Sequence, residues 1–594
     1  MAQDVGYKMY KIKHSFYFAD DEDEDHTSQS VTSSLPNLFL QANTGSSSTS
    51  TILNGVSTNA LPATLIGTGN FKINLVWDTT VSSSTFQTAI AKAASAIANV
   101  LTDNLTVNLG ITNSGTGGGA SAGPSGGLYK TYSWVYSHLK SSDPTFSALP
   151  NTSTIQGQST VAVWNTQLKL WGLASTSALD GGANFATDIS SSALFGVALH
   201  ELTHAFGRVP FGSAPDVFDL FRFTAPGQML FSSAIPAAQA YFSIDGGVTN
   251  LAYYGTKSDP SDFYNGTPTG KLHSIYDTTY DAFSEYYYSS GASYQYLTAV
   301  DLHSLVANGF QLNPLTVVKA SASIGTTPII VSDTGANILA NLDRLNTNIN
   351  SIYSITQTDN STLSLTAARS LTDSSILMLM NLYGPLSVAI TGTTGNETIY
   401  GIGNAVINGC GGIDDISLLC KTSKTSDVIV FNSAVSTNNL ERVTGFVSTD
   451  KIQLANSTNS LNGLTNLATG ALYAAGSAVT PFIQSVTAGK AFTVSTSGVD
   501  ILDLTGITFA NVASVITSLS SSATGSTYAT FGANLAKGSH FLVEYAASDG
   551  IHLAQITQGA TSTYLASTST GLDLIDLVGV TQHLTAANLM ILAA

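Results

Sequence analysis

Cysteine is nearly absent. Cys410 and Cys420 are the only two in 594 residues, so disulfides cannot frame the fold, and their spacing leaves open whether they pair. Charge is scarce as well, at 10% of residues, with 21 Lys and Arg against 38 Asp and Glu. The net charge of −17 and a pI near 4.7 argue against nucleic acid or an anionic membrane as the main partner. No window holds the roughly 18 consecutive apolar residues of a membrane-spanning helix, so no membrane span is expected. The opening run, Met1-Ala2-Gln3-Asp4-Val5-Gly6-Tyr7-Lys8, lacks the apolar centre of a secretory leader, which by itself points to the cytoplasm. Glutamate is the rarest acid, seven against 31 aspartates. That bias suits turns and oxygen-rich cation sites better than helix surfaces.

What is present divides the chain into regions. Residues 1–60 read as a disordered tail, with an acidic cluster from Asp20 to Asp25 and then Ser/Thr-rich sequence without periodicity. Phe71, Ile73, Leu75 and Trp77 alternate as in a half-buried strand. Phe86, Ile90, Ala94, Ile97 and Leu101 then recur at helical spacing, and Leu105, Val107 and Leu109 predict a second strand. The glycine-rich stretch 115–127 reads as a loop, since nothing brackets it as a phosphate-binding fingerprint. A closing helix is expected over Thr298–Val306, ending at Asn308-Gly309. Beyond about residue 320, Val, Ile, Leu, Thr and Ser dominate between frequent turn residues, a β-rich composition. There Gly498-Val-Asp-Ile-Leu-Asp-Leu-Thr-Gly-Ile-Thr508 repeats 73 residues later as Gly571-Leu-Asp-Leu-Ile-Asp-Leu-Val-Gly-Val-Thr581.

The chemistry is concentrated in His200-Glu201-Leu202-Thr203-His204. With ten histidines and seven glutamates in the chain, chance yields His-Glu-x-x-His in roughly two of a thousand such sequences. Residues four apart share one helix face, so both imidazoles can reach one metal ion. Glu201 beside them is placed to take a proton from water activated at that metal. Gly207, three residues on, lets the helix end and the chain turn. The extended run to Pro210 resembles the metzincin proteases, whose pattern is His-Glu-x-x-His-x-x-Gly-x-x-His/Asp. Strand, helix, strand ahead of the metal helix is also their order.

That resemblance implies zinc held by His200, His204 and a third ligand, with Glu201 as general base, in an enzyme that hydrolyses protein or peptide substrates. Pro210 stands where the third ligand is expected and cannot bind metal. Asp219 is the favoured replacement because aromatic neighbours leave it poorly solvated, with Asp216 as the alternative. Asp219 could instead pair with Arg208 or Arg222. Asp277, Asp281, Glu285 and His273 are further candidates, and Tyr253, Tyr254 or Tyr280 could stabilise an oxyanion. Met229 is the only local methionine for the methionine turn found under metzincin metals. Residues 60–312 also resemble a group of bacterial metalloprotease-like proteins through His200–Arg208, Asp219–Phe223, Phe242–Gly247 and Asp301–Phe310.

Downstream, Thr391–Ile399, Gly401–Ile407 and Gly409–Ile416 form a short glycine-rich array at eight- to nine-residue spacing. It resembles degenerate repeats-in-toxin nonapeptides, which implies a parallel β-roll with Asp414 and Glu397 as calcium ligands. Ser332–Leu342, Glu441–Phe446 and Asp450–Leu454 are similar to segments of large secreted bacterial β-repeat proteins. The apolar Asn588–Ala594 resembles the uncleaved signals read by type I export machinery. These resemblances imply an extracellular or cell-surface protein, with cell-surface components as further partners. The expected architecture is therefore an α+β metzincin-like catalytic domain (61–312), a β-repeat or linker module (313–390) and a β-rich, roll- or solenoid-like secretion and surface module (391–594). The expected function is a secreted zinc endopeptidase. The alternative is a catalytically inactive surface-layer or adhesin-like structural protein.

Overall fold

A computed structural model describes residues 9–11, 63–142, 148–212, 214–234, 236–257, 259–279, 281–288, 296–422, 425–432, 435–456, 464–470, 482–487, 492–494, 501–520 and 529–593. Of the stretch expected as a tail, residues 12–60 lie outside this set, while Met9–Lys11 form a strand antiparallel to Tyr286–Tyr288. Two units result, one of residues 1–332 with 347–355, the other of 333–346 with 356–594. The chain is mixed α/β, with a β-rich second unit.

The first unit starts as its periodicity dictates. Strand β1 (Lys72–Trp77) buries alternate residues, helix α1 (Ser84–Val100) buries Phe86, Ile90, Ala94 and Ile97, and strand β2 (Thr106–Asn113) lies parallel to β1. Ser83 starts α1 by accepting the Phe86 N–H with its hydroxyl. Strand β3 (Ala120–Pro124) falls inside the stretch expected to be a loop. Its small residues need only backbone pairing, antiparallel to β4 (Gly181–Phe185), which is itself parallel to β2. Thr64–Ile66 completes this five-stranded sheet on the other side of β1.

Helix α2 (Leu194–His204) packs on α1 and β3. Its end comes very close to the sheet: a Cβ on Gly181 would lie 2.4 Å from the Ala205 carbonyl oxygen. Gly207, at φ +112°, then reverses the chain. Phe206 meets Phe71 and Phe310 with ring centroids 5.8–6.0 Å apart, tying the end of α2 to β1 and to the exit of α3 (Ala299–Ala307). Helix α3 opens with Thr298 and Asp301 capping each other's backbone N–H groups and stops at Asn308-Gly309, where expected.

In the second unit, the segment expected as a β-repeat carries four short helices between its strands: Gly335–Ala340, Leu342–Thr347, Ala367–Thr372 and Ser374–Tyr383. Thr334 and Thr366 hydroxyls accept the N–H groups of Asn337 and Arg369 and start two of them. Such local caps outweigh the β-branched composition around them.

After residue 387 successive strands alternate between two sheets. Ser387–Thr391, Asn404–Asn408, Val428–Phe431 and Lys451–Asn456 pair in parallel in one; Thr398–Ile402, Ile413–Leu419 and Leu440–Thr444 pair in parallel in the other. The chain thus winds as a two-sheet parallel coil through the segments that the glycine spacing singled out. Each sheet then takes its next strand from far downstream: Leu589–Ala593 beside Lys451–Asn456, and β8 (Thr570–Val578) beside Leu440–Thr444. Between them, β5 (Ile501–Thr508), β6 (His540–Ala546) and β7 (Gly550–Thr557) extend the second sheet in the order β8-β7-β6-β5. Cys410 and Cys420 are not joined in a disulfide.

Candidate metal centre

Helix α2 places His200 and His204 as the four-residue spacing requires, with ring centroids 4.6 Å apart. Each imidazole is oriented from behind. His200 Nδ1 lies 2.9 Å from the Ala282 carbonyl oxygen, and His204 Nδ1 lies 2.7 Å from that of Arg208. A carbonyl only accepts, so each Nδ1 carries the hydrogen and each Nε2 is left as a lone-pair donor. The two Nε2 atoms are 2.8 Å apart, and Asp262 Oδ1 lies 3.0 Å from one and 3.1 Å from the other. One proton can serve only a single pair among three acceptors. A cation serves all three.

Asp262 was not foreseen. It lies 58 residues beyond His204, in Asp259-Pro260-Ser261-Asp262-Phe263-Tyr264. Asp259 turns this segment by accepting the Ser261 N–H, and Phe263 is laced to the next strand by exchanging backbone bonds with Phe283 and Glu285. The criterion that favoured Asp219, a carboxylate beside aromatic residues, applies equally to Asp262. Nothing in the sequence reveals the fold that brings it back.

The other candidates have different work. Asp219 and Asp216 latch one turn, each accepting the other's backbone N–H, at 3.3 and 3.0 Å. Asp216 also accepts from Trp164 Nε1 at 3.0 Å, and Asp219 lies 3.5 Å from Arg222 Nη2. Burial raises Asp219 to about 6 against the opposing pull of Arg222, and burial with the Asp219 charge holds Asp216 well above the usual carboxylate range. This pair latches its own turn, and the carboxylate that the structure brings to His200 and His204 is that of Asp262, not Asp219 or Asp216.

Asp281 accepts from Thr298 and shares a buried hydrogen bond with Asp301, burial raising both. Its neighbour Ala282 is what matters at the centre, through the carbonyl that orients His200. Glu285 packs against Gly255, while Asp277 and His273 are exposed. Met229 sits in a two-residue strand paired with Phe223 and bonded to Gln156. Tyr254 stacks on Phe263, and burial raises both its hydroxyl and that of Tyr253. Tyr280 lies outside the described residues.

Among the described residues Arg208 is the cation drawn into the centre, and with Nη1 3.5 Å from Asp262 Oδ1 and Nη2 on His204 Nε2 its guanidinium must move aside for a metal ion to take those atoms. Its Nη2 donates to His204 Nε2 at 2.7 Å, Nη1 donates to the Ser261 carbonyl at 2.8 Å, and Nε donates to Thr203 Oγ1 at 3.1 Å. Its guanidinium stacks 4.2 Å above the Phe283 ring. It therefore holds the Asp262 segment against α2. His200, Glu201, His204 and Asp262 are all completely buried, so the centre is closed to solvent in this conformation.

In the second unit, Asp414 Oδ1 accepts the Glu397 N–H at 2.8 Å, while Glu397 itself accepts from Thr393. Glu441, which the sequence did not single out as a ligand, joins them: a Cβ on Gly409 would lie 2.2 Å from Asp414 Oδ2 and 2.7 Å from Glu441 Oε1. Burial raises Asp414 to about 6 and, with the neighbouring Asp414 and Glu397 charges, Glu441 to about 8. Three groups of side chains have the spacing to hold a metal ion among the described residues: His200–His204–Asp262, Asp503–Glu544–His583 and His552–Asp573–Asp576. No protein-family model matches the chain, and no curated protein matches it.

Proposed function

We propose that the first unit is a metzincin-like, zinc-dependent endopeptidase that adopts a closed state. The observation that carries this reading is the convergence of two imidazole Nε2 atoms and Asp262 Oδ1 on one point, with Glu201 next to His200 in the same helix. Two nitrogens, each oriented through its Nδ1, and one carboxylate oxygen are the donor set of a catalytic zinc. When bound, zinc supplies Lewis acidity toward water and the scissile carbonyl. Glu201 then takes the proton of the attacking water and passes it to the leaving amine as the C–N bond breaks. Arg208 and the Ala282 carbonyl keep the ligands aligned. The carboxylates of Glu397, Asp414 and Glu441 support a calcium site in the parallel coil. The coil and the segments similar to secreted β-repeat proteins support export by a type I machinery to the exterior or cell surface.

Metal analysis together with casein cleavage tests the reading. About one zinc at this centre, with cleavage lost to a chelator and lost in Glu201→Gln while zinc stays bound, supports it. Equal cleavage by Glu201→Gln and wild type defeats it. One observation favours a second reading. The complete burial of all four residues also suits a structural zinc in a non-catalytic surface-layer or adhesin-like protein. In that case chelation lowers thermal stability, and no preparation cleaves casein.

A further inference from the structure

We propose a second metal site, for a zinc-class divalent transition ion, formed by Asp503, Glu544 and His583 in the second unit. Asp503 on β5 and Glu544 on β6 are direct register partners in parallel strands, so two carboxylates stand side by side on one sheet face. Both are buried, at 3% and 0% exposure. Like charges in that position repel and need a cation. Among the described residues no Lys or Arg pairs with either; the only basic group there is His583.

The geometry at His583 is what separates a metal site from an ordinary ion pair. Its Nδ1 lies 2.6 Å from Asp503 Oδ1 and 3.0 Å from Glu544 Oε1. Neither approach has hydrogen-bond alignment, and His583 Nδ1, Asp503 Oδ1 and Glu544 Oε2 all lack a hydrogen-bond partner. The rest of each carboxylate is anchored. Ser485 Oγ donates to Asp503 Oδ2 at 2.7 Å, and the Leu584 N–H donates to Glu544 Oε1 at 2.8 Å. Ligands fixed from behind, with their inner atoms unsatisfied, are how a metal-binding shell is held.

The neighbouring third cluster is a useful contrast. Asp576 occupies the place in the second repeat that Asp503 occupies in the first. It faces His552, whose Nε2 bonds Asp549 at 2.9 Å and whose Nδ1 lies 2.8 Å from Asp576. Burial pulls His552 down, but Asp573, Asp576 and Asp549 outweigh it and lift the group to about 10. There each imidazole nitrogen faces a carboxylate of its own. At Asp503 and Glu544 one imidazole meets two carboxylates with a single nitrogen. An imidazole among the ligands selects zinc-class ions over calcium and magnesium. His583 is 25% exposed at its side chain, which leaves the site a route to solvent.

The ligands come from three segments, so the ion would staple the turn after β8 to β5 and β6. Full-length protein stripped of metal and dialysed against zinc chloride tests this. Wild type is expected to bind one equivalent more than Asp503→Asn or His583→Ala, and to keep it in excess calcium. Glu544→Gln guards against simple unfolding: in the Asp262→Ala background, where the first centre takes no zinc, it retains native circular dichroism without zinc, yet loses the zinc-dependent rise in Tm of about 5–10 °C that Asp262→Ala alone keeps. Cobalt substitution should give visible absorption that His583→Ala diminishes. Equal zinc uptake and equal Tm rise in wild type, His583→Ala and Glu544→Gln would overturn the proposal, as would displacement of the ion by calcium.

Discussion

The two strongest metal-binding clusters are built by opposite routes. In the first unit a helix supplies two ligands one turn apart, and a distant loop adds Asp262. In the second, Asp503, Glu544 and His583 follow at intervals of about 40 residues; parallel strands align the two carboxylates, and the turn after β8 adds the imidazole. A helix writes a site locally, so four residues of spacing announce it. A sheet assembles a site across strands, and no local pattern announces that.

The largest test of this contrast is Glu201→Gln. If α2 carries the chemistry, peptide cleavage should fall by about 10²- to 10⁴-fold, measured on casein, with zinc content unchanged. The corresponding change on the strands, Glu544→Gln, should leave cleavage intact. Next comes the third ligand. Asp262→Ala should empty the first centre of zinc, whereas Asp219→Ala should keep the zinc and cost about 3 kcal/mol in urea unfolding, because Arg222 loses a buried counter-charge.

Gly181→Ala probes the support beneath α2. A Cβ 2.4 Å from the Ala205 carbonyl must push the helix end away, at about 1–3 kcal/mol in thermal unfolding, with weaker zinc retention. The smallest effect belongs to His552. Its folded-state value, about 10, lies above the unfolded one, so its stabilisation is complete below about pH 6.5 and is lost as pH rises toward 10. The stability gap between wild type and His552→Gln should therefore shrink steadily from pH 6 to pH 10.

Legibility in the sequence followed the range of the interactions. Alternation at Phe71–Trp77 and the spacing from Phe86 to Leu101 correctly located β1 and α1, since burial on one face is a local constraint. His200 and His204 were legible for the same reason. Asp262, Glu441 and the Asp503–Glu544–His583 group were not, because each depends on which strands and loops become neighbours. One further signal was available. Of the five glutamates among the described residues, Glu201, Glu285, Glu441 and Glu544 are buried; Glu544 lies in a metal-type cluster, Glu201 follows His200 of another, and Glu441 stands beside Asp414. In a chain that uses the residue so sparingly, each glutamate marked a place worth weighing. The four short helices between residues 335 and 383 were hidden by composition, and single threonine caps start two of them.

The parallel coil has a consequence for the order of folding. Both of its sheets stop near residue 456 and resume only with β8 and Leu589–Ala593, after an excursion of more than a hundred residues. Until those late strands arrive, Leu440–Thr444 and Lys451–Asn456 present open backbone edges, which are templates for strand exchange between chains. The two sheets are not both complete until residue 593 is in place, and a truncation before residue 570 would leave both edges bare for aggregation.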